Sequence, residues 1–215
     1  MSSLFFDLDG TITDPLFGIT SSYQRVLQEF GLQVPSTEDL KWTIGPQLRT
    51  CLSQLLNTSD PKVIESGVER YRHYYVEQKL MYHDKPYPGI RKVLEELSTK
   101  YPLYLATAKA RPYAIEILKY NQLDGFFKAM YGCELDGTRS NKADLIAYIL
   151  EQEGLNADSC LMIGDRIHDI KAAQSNGIPT LAVGYGYGDP SEWKQAAHFV
   201  SRVEEITQKV YEIIG

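Results

Sequence analysis

Two aspartates, Asp7 and Asp9, end the apolar run that opens "LFFDLDGTIT" (4–13). Neighbouring carboxylates repel, and an unpaired buried charge costs several kcal/mol, so their placement calls for a compensating group. Other parts of the chain offer one. "LYLAT" (103–107) ends on Thr107 and is followed by Ala108 and Lys109; Lys142 opens a helical segment; "CLMIG" (160–164) runs into "GDRIHD" (164–169), with Asp165 and Asp169. Taken singly, each has an ordinary use: an aspartate after a strand caps a turn or a helix, a threonine bonds at a strand end, a helix lysine is solvated. Taken together, Asp7, Asp9 and Asp165 make a site for a hard divalent cation, and oxygen ligands of this kind suit Mg²⁺. A lysine and a cation offset the carboxylate repulsion and attract an anionic substrate.

These residues need elements to hold them. Strand-length apolar runs occur at 4–6, 103–107, 129–132, 160–164 and 180–184. Between them lie helical patterns: 89–100 with Ile90, Val93, Leu94 and Leu97 on one face, a helix opened by Pro112, residues 141–153 before Gly154, and a segment ending at Gly177. Strand–helix alternation of this kind predicts an α/β fold, a doubly wound parallel sheet. Asp7 and Asp9, Thr107, and Asp165 then fall at C-terminal strand ends, where such sheets bind ligands. Residues 17–80 break the alternation and read as helices only, at 17–30, 37–42, 46–56 and 61–79, before the proline hinge "KPYPG" (85–89). The expected organisation is a core of 1–14 and 87–215 with an inserted all-α cap over 15–86.

Composition narrows the partners. The chain has 215 residues and a net charge of -6, which argues against a dedicated nucleic-acid binder. No apolar run reaches the roughly 18 residues of a membrane span, and no signal-peptide pattern opens the chain. Cys51, Cys133 and Cys160 form no zinc spacing and read as reduced thiols, hence a cytoplasmic expectation. No nucleic-acid or membrane partner is expected, and the chain is expected as a monomer or homodimer.

The ordered set "DLDGT", Thr107, Lys142 and "GDRIHD" resembles the four motifs of the haloacid dehalogenase superfamily, and the resemblance runs over essentially the whole chain. The helical insert is similar to that superfamily's cap of the first type; "IGPQLR" (44–49), "KPYPG", "ATAK" and "MIGDRIHDIKAA" resemble its phosphoglycolate phosphatase-like branch. The resemblance implies a Mg²⁺-dependent phosphatase whose partner is a small phosphorylated metabolite. Asp7 would be the nucleophile that forms an aspartyl-phosphate, and Asp9 the acid and then the base. Asp7, Asp9 (through its carbonyl), Asp165 and Asp169 would hold the metal. Thr107, the Ala108 N–H and Lys142 would hold the phosphoryl oxygens. Ala143 follows Lys142 where relatives often have proline, which keeps Lys109 as a second candidate for that charge.

The substrate is less determined. Phosphoglycolate phosphatase-like hydrolysis of a small monoester is the expectation; a nucleotidase, an inorganic pyrophosphatase or a phosphomutase are alternatives within the same superfamily. Arg49 in the cap either reads a carboxylate or second phosphate or is a surface arginine. The tyrosines at 71, 74, 75, 82 and 87 either stack a nucleobase or fill the cap's interior, the commoner use at helical spacing.

Overall fold

The computed structural model describes residues 2–215. The chain runs β1 (Ser3–Phe6), β2 (Thr13–Asp14), α1 (Leu16–Glu29), a 3₁₀ segment Glu38–Thr43, α2 (Leu48–Leu55), α3 (Pro61–Arg72), a wide turn His73–Glu77, β3 (Lys85–Pro86) and α4 (Ile90–Ser98). It continues through β4 (Leu103–Ala110), α5 (Arg111–Tyr120), β5 (Ala129–Cys133), α6 (Lys142–Glu153), β6 (Cys160–Gly164), α7 (Ile167–Ser175), β7 (Thr180–Val183), α8 (Pro190–Trp193), β8 (His198–Val200) and α9 (Ile206–Ile214). Two compact units result: Met1–Asp14 with Pro86–Gly215, and Pro15–Lys85.

The first unit holds a six-stranded sheet in the order β5-β4-β1-β6-β7-β8, and each neighbouring pair is parallel. The expected doubly wound α/β architecture is therefore what the chain adopts. All four residues of β1 are buried, as a central strand covered on both faces requires. On one face Phe5, Tyr104 and Met162 meet Leu145, Ile146 and Ile149 of α6 and Ala172 and Ala173 of α7. The Phe5 and Tyr104 rings pack edge to face, 5.6 Å apart. The helix apolar stripes recur at three- and four-residue spacing, so each helix can lie on the sheet with its first turn at the strand ends.

The second unit is helical. Tyr23, Tyr71 and Tyr75 stack through its interior at 4.8 and 5.4 Å, and the Tyr75 hydroxyl donates to buried Asp84 at 2.5 Å. Tyr71 and Tyr75 are thus interior packing residues. Tyr74 donates instead to Glu29.

The structure departs from the sequence reading in three places. The segment 61–79 is helical as far as Glu77 but not α throughout: α3 passes at Arg72 into a π-helical turn His73–Glu77, where the Gln78 N–H reaches back five residues to the His73 carbonyl. Strand β4 runs past Thr107 to Ala110, with its register shifted between those two residues. The chain after Val183 adds α8, β8 and α9, none of which the apolar pattern singled out. Among the described residues no helix is long and apolar enough to cross a membrane.

Candidate active site

Strand β1 points its end at the site. The Asp7 N–H still donates to the Ile163 carbonyl at 3.0 Å, so the pairing of β1 with β6 carries Asp7 alongside Asp165. The chain then folds tightly: the Leu8 carbonyl accepts from the N–H groups of Thr11, Ile12 and Thr13 at 3.3, 2.8 and 3.0 Å. Gly10 makes this turn with φ +85, and a Cβ there would lie 2.2 Å from Asp165 Oδ2. The close approach and the left-handed backbone both require glycine. We expect Gly10→Ala to lose stability by about 1–3 kcal/mol from backbone strain alone, and to displace Asp165. A thermal melt beside a phosphate-release assay reads both; an unchanged melt with full activity would contradict it.

The acidic groups converge. One carboxylate oxygen each from Asp7, Asp165 and Asp169 lies within 4.8 Å of the others, and all three side chains are buried. Burial raises the Asp7 carboxyl above its ordinary range; Lys142 opposes the rise and Asp169 adds to it. Asp165 is pushed well above its ordinary value by burial, then by the charges of Asp169 and Asp7. Three buried carboxylates this close fit the donor set of a hard divalent cation.

Two lysines answer them. Lys142 is the first residue of α6, where Asn141 caps the helix by accepting from the Ala143 N–H at 2.8 Å. Its ammonium lies 2.7 Å from Asp7 Oδ1 and also pairs with Asp169. Burial acts to lower the Lys142 pKa, but Asp169 and Asp7 outweigh it and hold the side chain as ammonium. Lys109 pairs with Asp9 at 2.8 Å. The register shift in β4 lies between Thr107 and Ala110, and the Lys109 N–H donates to Thr107 Oγ1 at 3.2 Å, so Thr107, Ala108 and Lys109 form one irregular strand end. The two lysines therefore serve different aspartates.

Asp169 caps a helix and also belongs to the acidic cluster. It accepts the Arg166 N–H at 3.0 Å, closing the first turn of α7, and it pairs with Lys142. Arg49 stands in the helical unit, on α2, with its guanidinium on Glu65 at 2.5 and 2.9 Å. Glu65 neutralises that charge, and its own carboxyl is lowered chiefly by the Arg49 hydrogen bond.

The sequence reading overlooked several groups around Asp165. Tyr187 N–H donates to Oδ2 at 2.6 Å and Thr11 Oγ1 to Oδ1 at 3.4 Å, while Trp193 Nε1 donates to the Asp165 carbonyl at 3.2 Å. The one written signal was the alternation "GYGYG" (184–188) after β7.

The acidic cluster and its two lysines thus stand at the ends of the central strands of a doubly wound parallel sheet. The model of the haloacid dehalogenase-like hydrolases matches residues 4–183. The chain is 40% identical over 209 residues to a 5'-nucleotidase of Pseudomonas aeruginosa, covering 96% of this chain and 94% of that one. It is 30% identical over 188 residues to a phosphoglycolate phosphatase of Aquifex aeolicus, covering 87% and 86%. A crystal structure of a predicted phosphatase from Clostridium acetobutylicum superposes with a TM-score of 0.93 at 35% identity, covering 98% of both chains. The chain belongs to the haloacid dehalogenase-like hydrolases, among that family's phosphatases.

Proposed function

We propose that the protein is a Mg²⁺-dependent phosphatase that hydrolyses a small phosphate monoester through an aspartyl-phosphate on Asp7. The observation that carries this reading is the buried Asp7 carboxylate, held 2.7 Å from the Lys142 ammonium and beside Asp165 and Asp169. Lys142 opposes the rise that burial imposes on the Asp7 carboxyl and so favours the anionic form a nucleophile needs. A divalent cation held by Asp7, Asp165 and Asp169, with the Asp9 carbonyl, would supply positive charge against the repulsion between nucleophile and phosphate.

The side chains then divide the work. An Asp7 oxygen forms the new bond to phosphorus as the ester oxygen leaves. Asp9, oriented by Lys109, gives that oxygen its proton. Asp9 next takes a proton from water, which attacks the phosphoenzyme and frees Asp7 and inorganic phosphate. Thr107, the Ala108 N–H and Lys142 bind the phosphoryl oxygens throughout.

For the leaving group we place nucleoside 5'-monophosphates ahead of phosphoglycolate. The likeness to a 5'-nucleotidase is the stronger of the two, 40% against 30% identity. Arg49 would also have to release Glu65 before reading a substrate carboxylate. Phosphate release from nucleoside monophosphates, phosphoglycolate, pyrophosphate and an aryl phosphate tests the order. Turnover should vanish in EDTA, return with Mg²⁺ and fall with Ca²⁺, whose longer and looser coordination misplaces the reacting groups. Full activity after metal stripping would refute the metal role, and transfer of phosphate between substrate positions without release would make the protein a mutase.

A further inference from the structure

Asp165 has a problem that the catalytic roles do not solve. It is buried, with Asp7 and Asp169 within 4.8 Å, and like charges at that range push a flexible carboxylate away. Something must fix it. The loop 184–188 does so by backbone: the Tyr187 N–H donates to Asp165 Oδ2 at 2.6 Å. The loop comes this close because its glycines lack side chains. A Cβ on Gly186 would lie 2.4 Å from Asp165 Oδ2, and one on Gly188 would lie 2.0 Å from the Asp165 carbonyl oxygen.

A loop that holds by one amide needs its own anchors, and the tyrosines between the glycines provide them. Tyr185 donates its hydroxyl to the Thr11 carbonyl at 2.7 Å, and Thr11 in turn faces Asp165 through its own hydroxyl. Tyr187 donates its hydroxyl to Asp14 Oδ1. Tyr87 stands beside both, its ring 4.8 Å from that of Tyr185 and its hydroxyl bonded with that of Tyr187. The alternation thus separates two tasks: glycines allow contact with Asp165, and tyrosine hydroxyls tie the loop to 11–14.

We infer that Tyr187 is a positioning residue for Asp165, pinning the loop through Asp14 so that its amide holds the carboxylate in metal-binding orientation. The inference rests on Asp165 holding a metal, as proposed above. Groups that orient a ligand from behind typically change metal affinity by about 10–100-fold when removed. Tyr187→Phe keeps the ring and the backbone N–H but releases the loop from Asp14.

The test is Mn²⁺ binding to the metal-stripped full chain, read by electron paramagnetic resonance of the free ion. Tyr187→Phe and Asp14→Ala should each raise the Mn²⁺ Kd by about tenfold, and the double variant no further. Asp14→Asn, which retains an acceptor oxygen, should keep the affinity within about threefold of wild type. In turnover, the Mg²⁺ activation constant should rise more than kcat at saturating metal falls. Asp14→Ala carries the test if Tyr187→Phe does not fold. Unchanged Mn²⁺ affinity in both single variants, with Asp165→Asn weakened, would overturn the positioning role and leave the metal reading intact. Unchanged affinity in Asp165→Asn would remove the metal reading itself, and the inference with it.

Discussion

Asp7→Asn should abolish phosphate release, with a loss of roughly 10⁵-fold or more, as when other covalent nucleophiles are removed. An amide oxygen at that position cannot form the phosphoenzyme. The fold should persist, because asparagine has the same shape and Lys142 keeps its pairing with Asp169. The pH dependence of stability gives a second readout. The Asp7 carboxyl is raised above its ordinary value of 3.8 by burial, against the pull of Lys142. A raised carboxyl favours the folded state below about pH 4 and loses that contribution as pH climbs through its folded value. Asparagine suffers no such loss. In metal-free buffer, the melting temperature of the variant relative to wild type should therefore increase as pH rises from about 4 to 7. Activity within tenfold of wild type would remove Asp7 as nucleophile. A relative melting temperature that falls with pH would mean the Asp7–Lys142 pair stabilises more than burial costs.

What the sequence showed of this protein depended on how each feature acts. The buried strands β1, β4, β6 and β7 read as short apolar runs, and so did the half-buried edge strand β5, whose five residues are long enough to leave one. Strand β8 was not: it has three residues at the sheet's edge, one of them the exposed Phe199, and leaves no such run. The acidic motifs were legible because side-chain chemistry at strand ends is written in residue types. Asp7, Asp165 and Asp169 do meet in space. The pairing of each lysine was not legible, because it depends on the register shift that ends β4 and on where α6 begins. The loop 184–188 was missed for a further reason. Its contact with Asp165 is a backbone N–H, which every residue but proline carries, and the glycines around it act by what they lack.

The second large effect is expected from Lys142→Met. The ammonium is shared between Asp7 and Asp169 in a buried setting, and removing one partner of a buried charge cluster typically costs about 3–5 kcal/mol, because the charges left behind stay buried. Methionine fills similar space, so the loss reflects charge rather than a cavity. Denaturant unfolding at neutral pH should show it in metal-free protein. The deficit should shrink in acid, where the two carboxylates take up protons and no longer need the ammonium. It should also shrink with added Mg²⁺, which would bind the same carboxylates and stabilise the folded state by mass action. Turnover should fall too, since the variant lacks the ammonium that opposes the rise of the Asp7 carboxyl and, on the proposed reading, a ligand to the phosphoryl oxygens. Lys109→Met is the informative partner. Lys109 serves Asp9, so its loss should act on protonation of the leaving group: an aryl phosphate, whose leaving group needs little protonation, should suffer less than an alkyl phosphate. Lys142→Met should impair both substrates alike. The reverse pattern, with Lys109→Met equally damaging to both and Lys142→Met nearly silent, would assign the phosphate to Lys109 and leave Lys142 as a structural counter-charge.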